Sequence, residues 1–364
     1  MIGRSDLARV VRCVDPRTDP RWEAYIAGHP HALVYHHPAW LDVIERVYGY
    51  ELVALVCETD AGGFQGVLPL FRTRGLLTGR RLSSLPHTPT AGPLGSDDDA
   101  TAALLRSAID KARAGRATLQ VKVGEPRLEA LVEGLTGVPW ESTYVLELRA
   151  DAEQLRFGNA RNHRRVKWAI EKAAKDGVRV RAAETEDELR AWYRLYLRTM
   201  RQHVVPPRPY GFFASMWDVL RPRRMMRLLL AEQHDPQGAR LVAGALFLMY
   251  GSTVCYAFTG SSGSGLRLHA NDAIQWAALE DGCRAGFHRY DLGEVAEDDS
   301  GLAQFKRKWG AVPTPLFRYY APAPNRAEQR LLDTGRARRI AAAAWRRVPL
   351  QATTLLGGPL YRYL

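Results

Sequence analysis

The spacing of apolar residues predicts the same order of elements in both halves of the chain. In the first half, apolar residues at helical spacing predict a helix from Pro38 to Tyr48, and Gly49 is suited to end it. Two strand-like runs, Glu51 to Glu58 and Phe64 to Phe71, flank a turn and predict a hairpin. The other predicted elements are strands at Arg80 to Leu85, Thr118 to Val123 and Thr143 to Leu148, a helix at Asp99 to Ala114 and a short helix at Pro126 to Glu133.

The second half repeats this order, which predicts a duplication of a whole domain. The spacing from the first hairpin strand to the main helix is similar in both halves, Glu51 to Asp99 and Met226 to Asn271. We therefore predict domains at 1–150 and 151–324, of the α/β class, each with a mixed sheet and helices packed on its faces. The predicted elements are helices at Glu186 to Met200, Asn271 to Ala285 and Gly301 to Lys308, and strands at Met226 to Glu232, Leu241 to Tyr250, Thr253 to Phe258, Tyr290 to Leu292 and Pro315 to Tyr320.

Composition adds a positive charge and argues against metal or disulfide chemistry. The 364 residues include 46% hydrophobic and 25% charged residues, as in globular proteins, and the net charge of +12 favours anionic partners. A generally arginine-rich composition is the alternative explanation for that charge. The four cysteines form no CxxC pair or zinc-ligand spacing, so we expect a reducing compartment, no disulfide framework and no metal site.

The hydropathy of the chain and the composition of its last forty residues indicate where in the cell the protein is expected. Charges interrupt the residues from Met1 to Val14, and the longest apolar stretch, Leu241 to Tyr250, is too short to span a bilayer, so a cytoplasmic protein is expected. Residues 325–364 hold eight arginines against two acidic residues and form a basic amphipathic tail. This tail could contact an anionic membrane at the inner face, or pack across the second domain through residues such as Trp345.

Several short runs in a defined order carry a family resemblance. These are 170–178 (IEKAAKDGV), 271–276 (NDAIQW), 290–293 (YDLG) and 305–311 (FKRKWGA). Their order and spacing resemble the Fem-like (FemAB-type) branch of the GNAT superfamily. The resemblance implies two tandem GNAT-like domains that transfer an acyl or aminoacyl group to an amine. Unlike one subset of that branch, the chain has no long charged heptad arm in its second domain.

The resemblance also implies the substrates. The donor would be acyl-CoA or aminoacyl-tRNA, and both bear phosphate. The acceptor would be an amino group of a cell-envelope or peptidoglycan precursor, or of a nucleotide sugar of an exopolysaccharide pathway. Two other classes stay open: a non-catalytic protein that binds RNA or another polyanion, and a membrane-surface partner of a polysaccharide assembly system.

Three residues are predicted to be catalytic. The pair Phe305-Lys306 matches the motif in which Fem-like enzymes place a lysine at the transfer site, where a cation would bind a donor phosphate or stabilise developing charge. The alternative is an exposed helix lysine. Asp291, or the nearby Glu294, could accept the proton of the amine, and the alternative is a carboxylate that caps a turn.

The remaining candidates would bind the donor and the acceptor. A glycine-rich segment at 260–265 precedes the helix at Asn271, so Gly263, Gly265, Arg267 and Asn271 are predicted to hold the phosphates of the donor, with a flexible surface loop as the alternative. Substrate contacts are predicted for Arg161, Arg165 and Lys172 of a basic helix and for Tyr256 of an inner strand, against the alternatives of a solvated helix and core packing. The first domain would serve as scaffold and acceptor-side wall.

Overall fold

The computed structural model describes residues 9–75, 79–84, 86–124, 127–236, 238–296 and 299–324. The predicted tail at 325–364, with its membrane contact, lies outside the described residues. Within the described part, one compact unit comprises residues 9–140 and 315–324, and the other comprises 141–314. Each unit holds a mixed sheet with helices on it, and the predicted fold class is confirmed.

The first unit packs its main helix on one face of its sheet. The sheet order is β1-β2-β3-β4-β6-β13, with β4 and β6 parallel and β5 paired with β3. The core lies between the sheet and α3, where Leu68, Leu82 and Leu104 are fully buried. The strands are β1 (Val10–Val14), β2 (Glu51–Glu58), β3 (Phe64–Gly75), β4 (Gly79–Ser83), β5 (Leu94–Gly95), β6 (Thr118–Val123) and the later β13 (Val312–Ala321), and the helices are α1 (Pro20–Gly28), α2 (Pro38–Tyr48), α3 (Asp98–Ala114) and α4 (Leu128–Leu131).

Local signals explain why α2 begins and ends where predicted. The Nδ1 atom of His37 accepts the backbone N–H of Ala39, and Gly49 ends the helix in the left-handed conformation at φ 66°. The neighbouring His36 is buried and bonded to the carbonyl of Gly92. Burial lowers the pKa of His36 to about 4, so both histidines serve the structure.

The second unit repeats the arrangement. Its sheet order is β7-β12-β11-β10-β9-β8, with β11 and β12 parallel, and α9 packs over the core that contains Phe247, Ile274 and Tyr290. The strands are β7 (Thr136–Glu147), of which residues from 141 onward belong here, β8 (Val178–Ala182), β9 (Met226–Asp235), β10 (Gly238–Tyr250), β11 (Thr253–Ser261) and β12 (Arg289–Val295), and the helices are α5 (Ala160–Lys175), α6 (Glu186–His203), α7 (Tyr210–Leu220), α8 (Gly263–Arg267), α9 (Ala270–Arg284) and α10 (Ser300–Lys308).

The two units share a pattern, but the last strand of each differs from expectation. In both, an antiparallel hairpin leads to a strand, a helix and a parallel strand, and the parallel strands share three residue pairs. The strand predicted to complete the first half pairs through residues 142–147 with β12 of the second unit. The strand predicted to complete the second half pairs through residues 317–321 with β6 of the first. Both assignments of the final strands are therefore corrected.

Candidate functional site

The site lies where two parallel strands of the second unit diverge. Strands β11 and β12 pair at three positions, the last joining Cys255 to Asp291, and both strands continue beyond it without further pairing to each other. On its other side, β11 skips Ala257 in its pairing with β10. Beyond that pair the peptide groups of β11 and β12 no longer bond to each other, so this divergence is the candidate place for an inserted polar group.

A bulge in β12 shapes the second wall of the gap. The register between β12 and β7 shifts between Asp291 and Glu294, and Gly293 sits in this bulge at φ 84°. A side chain rarely adopts that conformation, so the sequence needs glycine at this position. The strand predicted at Tyr290 to Leu292 is longer than expected, because it bulges here and runs on to Val295.

Lys306 reaches this bulge from α10. Asp299 caps the helix by accepting the N–H of Leu302, which fixes the direction of the helix. Lys306 is 3% exposed, and its Nζ atom donates to the carbonyl oxygens of Gly293 and Glu294, both at 2.9 Å. The alternative of an exposed helix lysine is therefore wrong.

Burial also changes the protonation of Lys306. Burial lowers its pKa to about 8, although the negative charges of Asp291 and Glu294 act in the opposite direction. At neutral pH the group is therefore mainly a buried ammonium. Such a cation in a low-dielectric setting interacts strongly with any negative charge that forms beside it.

Asp291 is held by two donors. The hydroxyl of Thr143 on β7 and the backbone N–H of Gly293 both donate to its Oδ1 atom, the latter at 2.8 Å. Burial raises the pKa of Asp291, and these hydrogen bonds and the charge of Lys306 oppose the rise. The carboxylate thus caps the bulge, which was the alternative interpretation, and it also lies within the electrostatic reach of Lys306.

Two aromatic side chains complete this region. Tyr256 of β11 packs against Phe247 with ring centroids 5.6 Å apart, and burial raises its pKa, so its phenol is neutral at ordinary pH. Phe305 is half-buried beside Lys306, and Lys308 lies over its ring at 5.0 Å. Catalytic or binding roles for Phe305 and Tyr256 stay predictions.

The predicted glycine-rich loop is wrong. Gly260 lies at the end of β11, packed so closely on α6 that a Cβ would come within 2.4 Å of the backbone nitrogen of Tyr196. Ser262 caps α8, and its hydroxyl already accepts the N–H of Gly265. Gly263 and Arg267 are exposed on α8. Since the N–H of Gly265 is used within the protein, the segment offers less to a phosphate than a free loop would.

Asn271 does not cap the main helix. The helix begins at Ala270, and its N-cap is His269 in the left-handed conformation at φ 54°. Asn271 is the second helical residue, and its buried Oδ1 atom has no hydrogen-bond partner. Asp272 is next, and it pairs with Lys308 of α10. This ion pair ties α9 to the helix that carries Lys306.

Helix α5 presents a basic face to solvent, defined by Arg161, Arg164, Arg165, Trp168, Lys172 and Lys175. Arg161, Arg165 and Lys172 are exposed and follow one another along the helix. Among the described residues, neither arginine of this trio makes a hydrogen bond or ion pair, whereas Lys172 pairs with Asp176. Trp168 is 56% exposed, and its ring lies edge-on to that of His269 with ring centroids 5.1 Å apart. The charges of this face were predicted from the sequence, whereas Trp168 was not.

The start of α5 lies against the end of α10. A Cβ on Gly158, just before α5, would come within 3.1 Å of the carbonyl oxygen of Arg307. Thus the start of α5 lies close to the helix that carries Lys306.

The corresponding gap in the first unit is filled by the protein itself. Strands β4 and β6 also diverge after three pairs, the last at Ser83 and Gln120. There the Oγ atom of Ser84 accepts the N–H of Lys122, and Ser83 donates to Gln120. Because these polar side chains satisfy each other, the gap of the second unit is the better candidate site.

The described residues include neither a membrane-spanning helix nor a cluster of metal-binding side chains. None of their helices combines the length and apolar character that crossing a membrane requires. No group of three or more side chains suited to a metal ion occurs in the part of the chain that the structure describes.

Comparisons with known proteins agree with this geometry. The model of the GNAT acetyltransferase domain matches residues 160–307, which run from the start of α5 to α10. A curated relative, UDP-N-acetylmuramoylpentapeptide-lysine N(6)-alanyltransferase of Weissella viridescens, is 26% identical over 144 residues, which are 39% of this chain and 41% of that protein. The match thus spans well under half of the relative.

Solved structures resemble the whole fold. The crystal structure of FemX has a TM-score of 0.71 at 16% identity, covering 89% of this chain and 100% of the other. A tandem GNAT protein from the clavulanic acid biosynthesis pathway has a TM-score of 0.52 at 15% identity, covering 87% and 99%. At these identities the likeness concerns the fold, and it agrees with the tandem arrangement.

Proposed function

We propose that the chain is an acyl- or aminoacyltransferase of the Fem-like branch of the GNAT superfamily, and that it forms an amide on an amino group of a peptidoglycan precursor. The amine nitrogen attacks the acyl carbonyl carbon, a C–N bond forms, and the bond to the leaving oxygen or sulfur of the donor breaks. The amine loses a proton and the leaving group gains one. Negative charge develops on the carbonyl oxygen during the attack.

The observation that carries this proposal is the environment of Lys306. An ammonium has three N–H donors, and the carbonyl oxygens of Gly293 and Glu294 use two of them. The third has no hydrogen-bond partner among the described residues, and we propose that it donates to an oxyanion in the gap between β11 and β12. A cation fixed in advance by two hydrogen bonds needs little reorganisation as the charge forms. Asp291 would assist by holding the bulge and sustaining the charge of the lysine.

The basic face of α5 favours aminoacyl-tRNA as the donor. Arg161, Arg164 and Arg165, which have no partner among the described residues, can contact backbone phosphates, and the exposed Trp168 can stack on an unpaired base. The segment at 260–265 is packed and leaves the N–H of Gly265 already bonded, which weakens the case for a diphosphate of CoA there. The curated relative acts, by its name, on a UDP-linked muramoyl pentapeptide, and we propose the same acceptor class.

Product analysis with the full-length chain tests the proposal. The protein is incubated with a UDP-linked muramoyl pentapeptide and either aminoacyl-tRNA or acyl-CoA, and mass spectrometry identifies the acylated product. The Lys306→Met variant should reduce kcat about 100- to 1000-fold, the effect of losing one donor to an oxyanion. It should keep the native circular dichroism. Lys111→Met, on α3 of the first unit, is the matched control and should retain the activity.

The same experiment distinguishes a transferase from a protein that only binds RNA or another polyanion. If the chain only binds RNA or another polyanion, no donor yields product, and Lys306→Met changes the affinity for RNA little. Product from a nucleotide sugar in place of the muramoyl peptide would move the acceptor to an exopolysaccharide pathway.

A further inference from the structure

A pocket of about 410 Å³ lies at the end of the β3–β4 hairpin in the first unit. Four arginines, Arg72, Arg74, Arg80 and Arg81, line it. Its other walls come from Gly49, Tyr50, Thr73, Gly115 and Ala117. No residue of this pocket takes part in the transfer site described above.

One of the four arginines is neutralised by the protein. Arg72 donates to Glu51 at 2.9 Å, and its guanidinium lies beside the end of α3, where a Cβ on Gly115 would come within 3.0 Å of it. The carboxylate and the carbonyl end of the helix therefore balance this charge. Its role is explained without a ligand.

The other three arginines have no such partner. Arg74, Arg80 and Arg81 make no hydrogen bond or ion pair within the part of the chain that the structure describes. Arg46 and Arg113, in contrast, pair with Asp42 and Asp110. The three arginines of the pocket therefore keep unpaired charges within the described residues.

The strand register makes this cluster costly. Arg74 lies directly opposite Arg80 in the antiparallel pairing of β3 and β4, and like charges in that relation destabilise a sheet. Arg81 has its Nε atom buried without a partner, and a buried unsatisfied donor also costs stability. An anion with several oxygen acceptors would offset the repulsion between Arg74 and Arg80.

We propose that this arginine pocket binds a phosphate-bearing ligand, independently of the transfer site. A guanidinium presents paired N–H donors that match phosphate oxygens, and the two that lie opposite each other, those of Arg74 and Arg80, suit a group with more than one negative charge. The pocket is large enough for a diphosphate or a phosphorylated head group. The ligand could be soluble or could be the head group of a lipid, and both would present the same phosphate chemistry.

Calorimetric titration of the full chain with inorganic pyrophosphate at low salt tests the proposal. The double variant R74Q/R80Q should bind pyrophosphate at least about tenfold more weakly, since it loses two charge-assisted contacts. The matched control R46Q/R113Q removes two paired arginines from the same unit, and its affinity should stay close to that of the unmodified chain. Because Arg74 and Arg80 are exposed and repel each other, R74Q/R80Q should unfold at the temperature of the unmodified chain or slightly above it, so a lost affinity cannot come from unfolding.

A second experiment, binding to lipid vesicles, distinguishes a soluble phosphate ligand from a lipid head group. Flotation is measured on phosphatidylcholine vesicles with and without phosphatidic acid. Loss of pyrophosphate affinity in R74Q/R80Q supports a soluble ligand. Loss of flotation on phosphatidic acid alone supports a lipid head group. If the double variant matches the control in both arms, the proposal is overturned, and this result would leave the transfer proposal untouched.

Discussion

The ammonium nitrogen of Lys306 lies 2.9 Å from the carbonyl oxygen of Gly293, which joins α10 to the bulge of β12. This contact fixes a buried cation at the point where β11 and β12 separate. Since burial lowers the pKa of Lys306 to about 8, its charge is sensitive to pH in an accessible range. Charge and position can therefore be tested separately.

Transfer should decline at alkaline pH if the cation is required. The folded-state pKa of Lys306 is about 8, below its ordinary 10.5, so the ammonium loses its proton as the pH rises through 8. We expect kcat for the unmodified chain to fall above that pH. In Lys306→Arg the charge persists to much higher pH, so the decline should disappear even if the rate is lower. A decline that stays at the same pH in this variant would assign it to another group.

Asp291 should set the pH at which that decline begins. Its negative charge raises the pKa of Lys306, so replacing it with a neutral isostere should lower that pKa further. In Asp291→Asn the alkaline decline should therefore shift to lower pH, while the remaining oxygen can still accept the N–H of Gly293. The pH profile of kcat checks this. An unchanged or upward-shifted decline would show that the carboxylate does not act on the lysine.

Much of the local structure followed from the sequence. The bounds of α2 and β2 were predicted to the residue, because Pro38 and Gly49 mark the ends of the helix and turn residues bound the strand. These signals act between neighbours in the chain. They do not depend on the tertiary fold.

The predictions that proved wrong concern segments whose structure depends on contacts with residues distant in the sequence. The segment that begins at Gly260 has the composition of a loop, yet close packing on Tyr196 makes it the end of a strand. The short strand after Glu141 gives no local sign of its partner, and it pairs with β12 rather than completing the first unit. The burial of the Lys306 side chain could not be predicted from local sequence either, since it depends on a register shift between β12 and β7. Such shifts are set by the whole sheet.

The basic face of α5 should affect the binding of a tRNA donor rather than the chemical step. Replacing Arg161 and Arg165 with glutamine removes two phosphate contacts, so KM for aminoacyl-tRNA should rise about tenfold with kcat nearly unchanged. The slope of log affinity against log salt should fall by about 1.4, or 0.7 for each contact to a single strand. The control R194Q/R198Q removes two exposed arginines of α6 and should change neither quantity. Equal effects in both pairs would indicate general electrostatic attraction.

The bulge at Gly293 should prove more important for transfer than for folding. Gly293 has φ 84°, so Gly293→Ala should cost about 1–2 kcal/mol of unfolding free energy through backbone strain. The added methyl group itself meets no clash, because the nearest atoms would be 3.6 Å and 3.7 Å away. Strain would, however, move the carbonyl that holds Lys306. We therefore expect kcat to fall at least about tenfold, since a small misplacement of a catalytic group is costly.

Gly286 supplies the matched control for this last prediction. It has nearly the same φ, 79°, and no atom within 4 Å of an added Cβ, but it follows α9 and does not touch Lys306. Gly286→Ala should lose a similar amount of stability in urea unfolding and keep its kcat. The difference in kcat between two equally destabilised variants then isolates the contact of Gly293 with Lys306. Equal losses of kcat would mean that strain alone, and not the placement of the cation, lowers the rate.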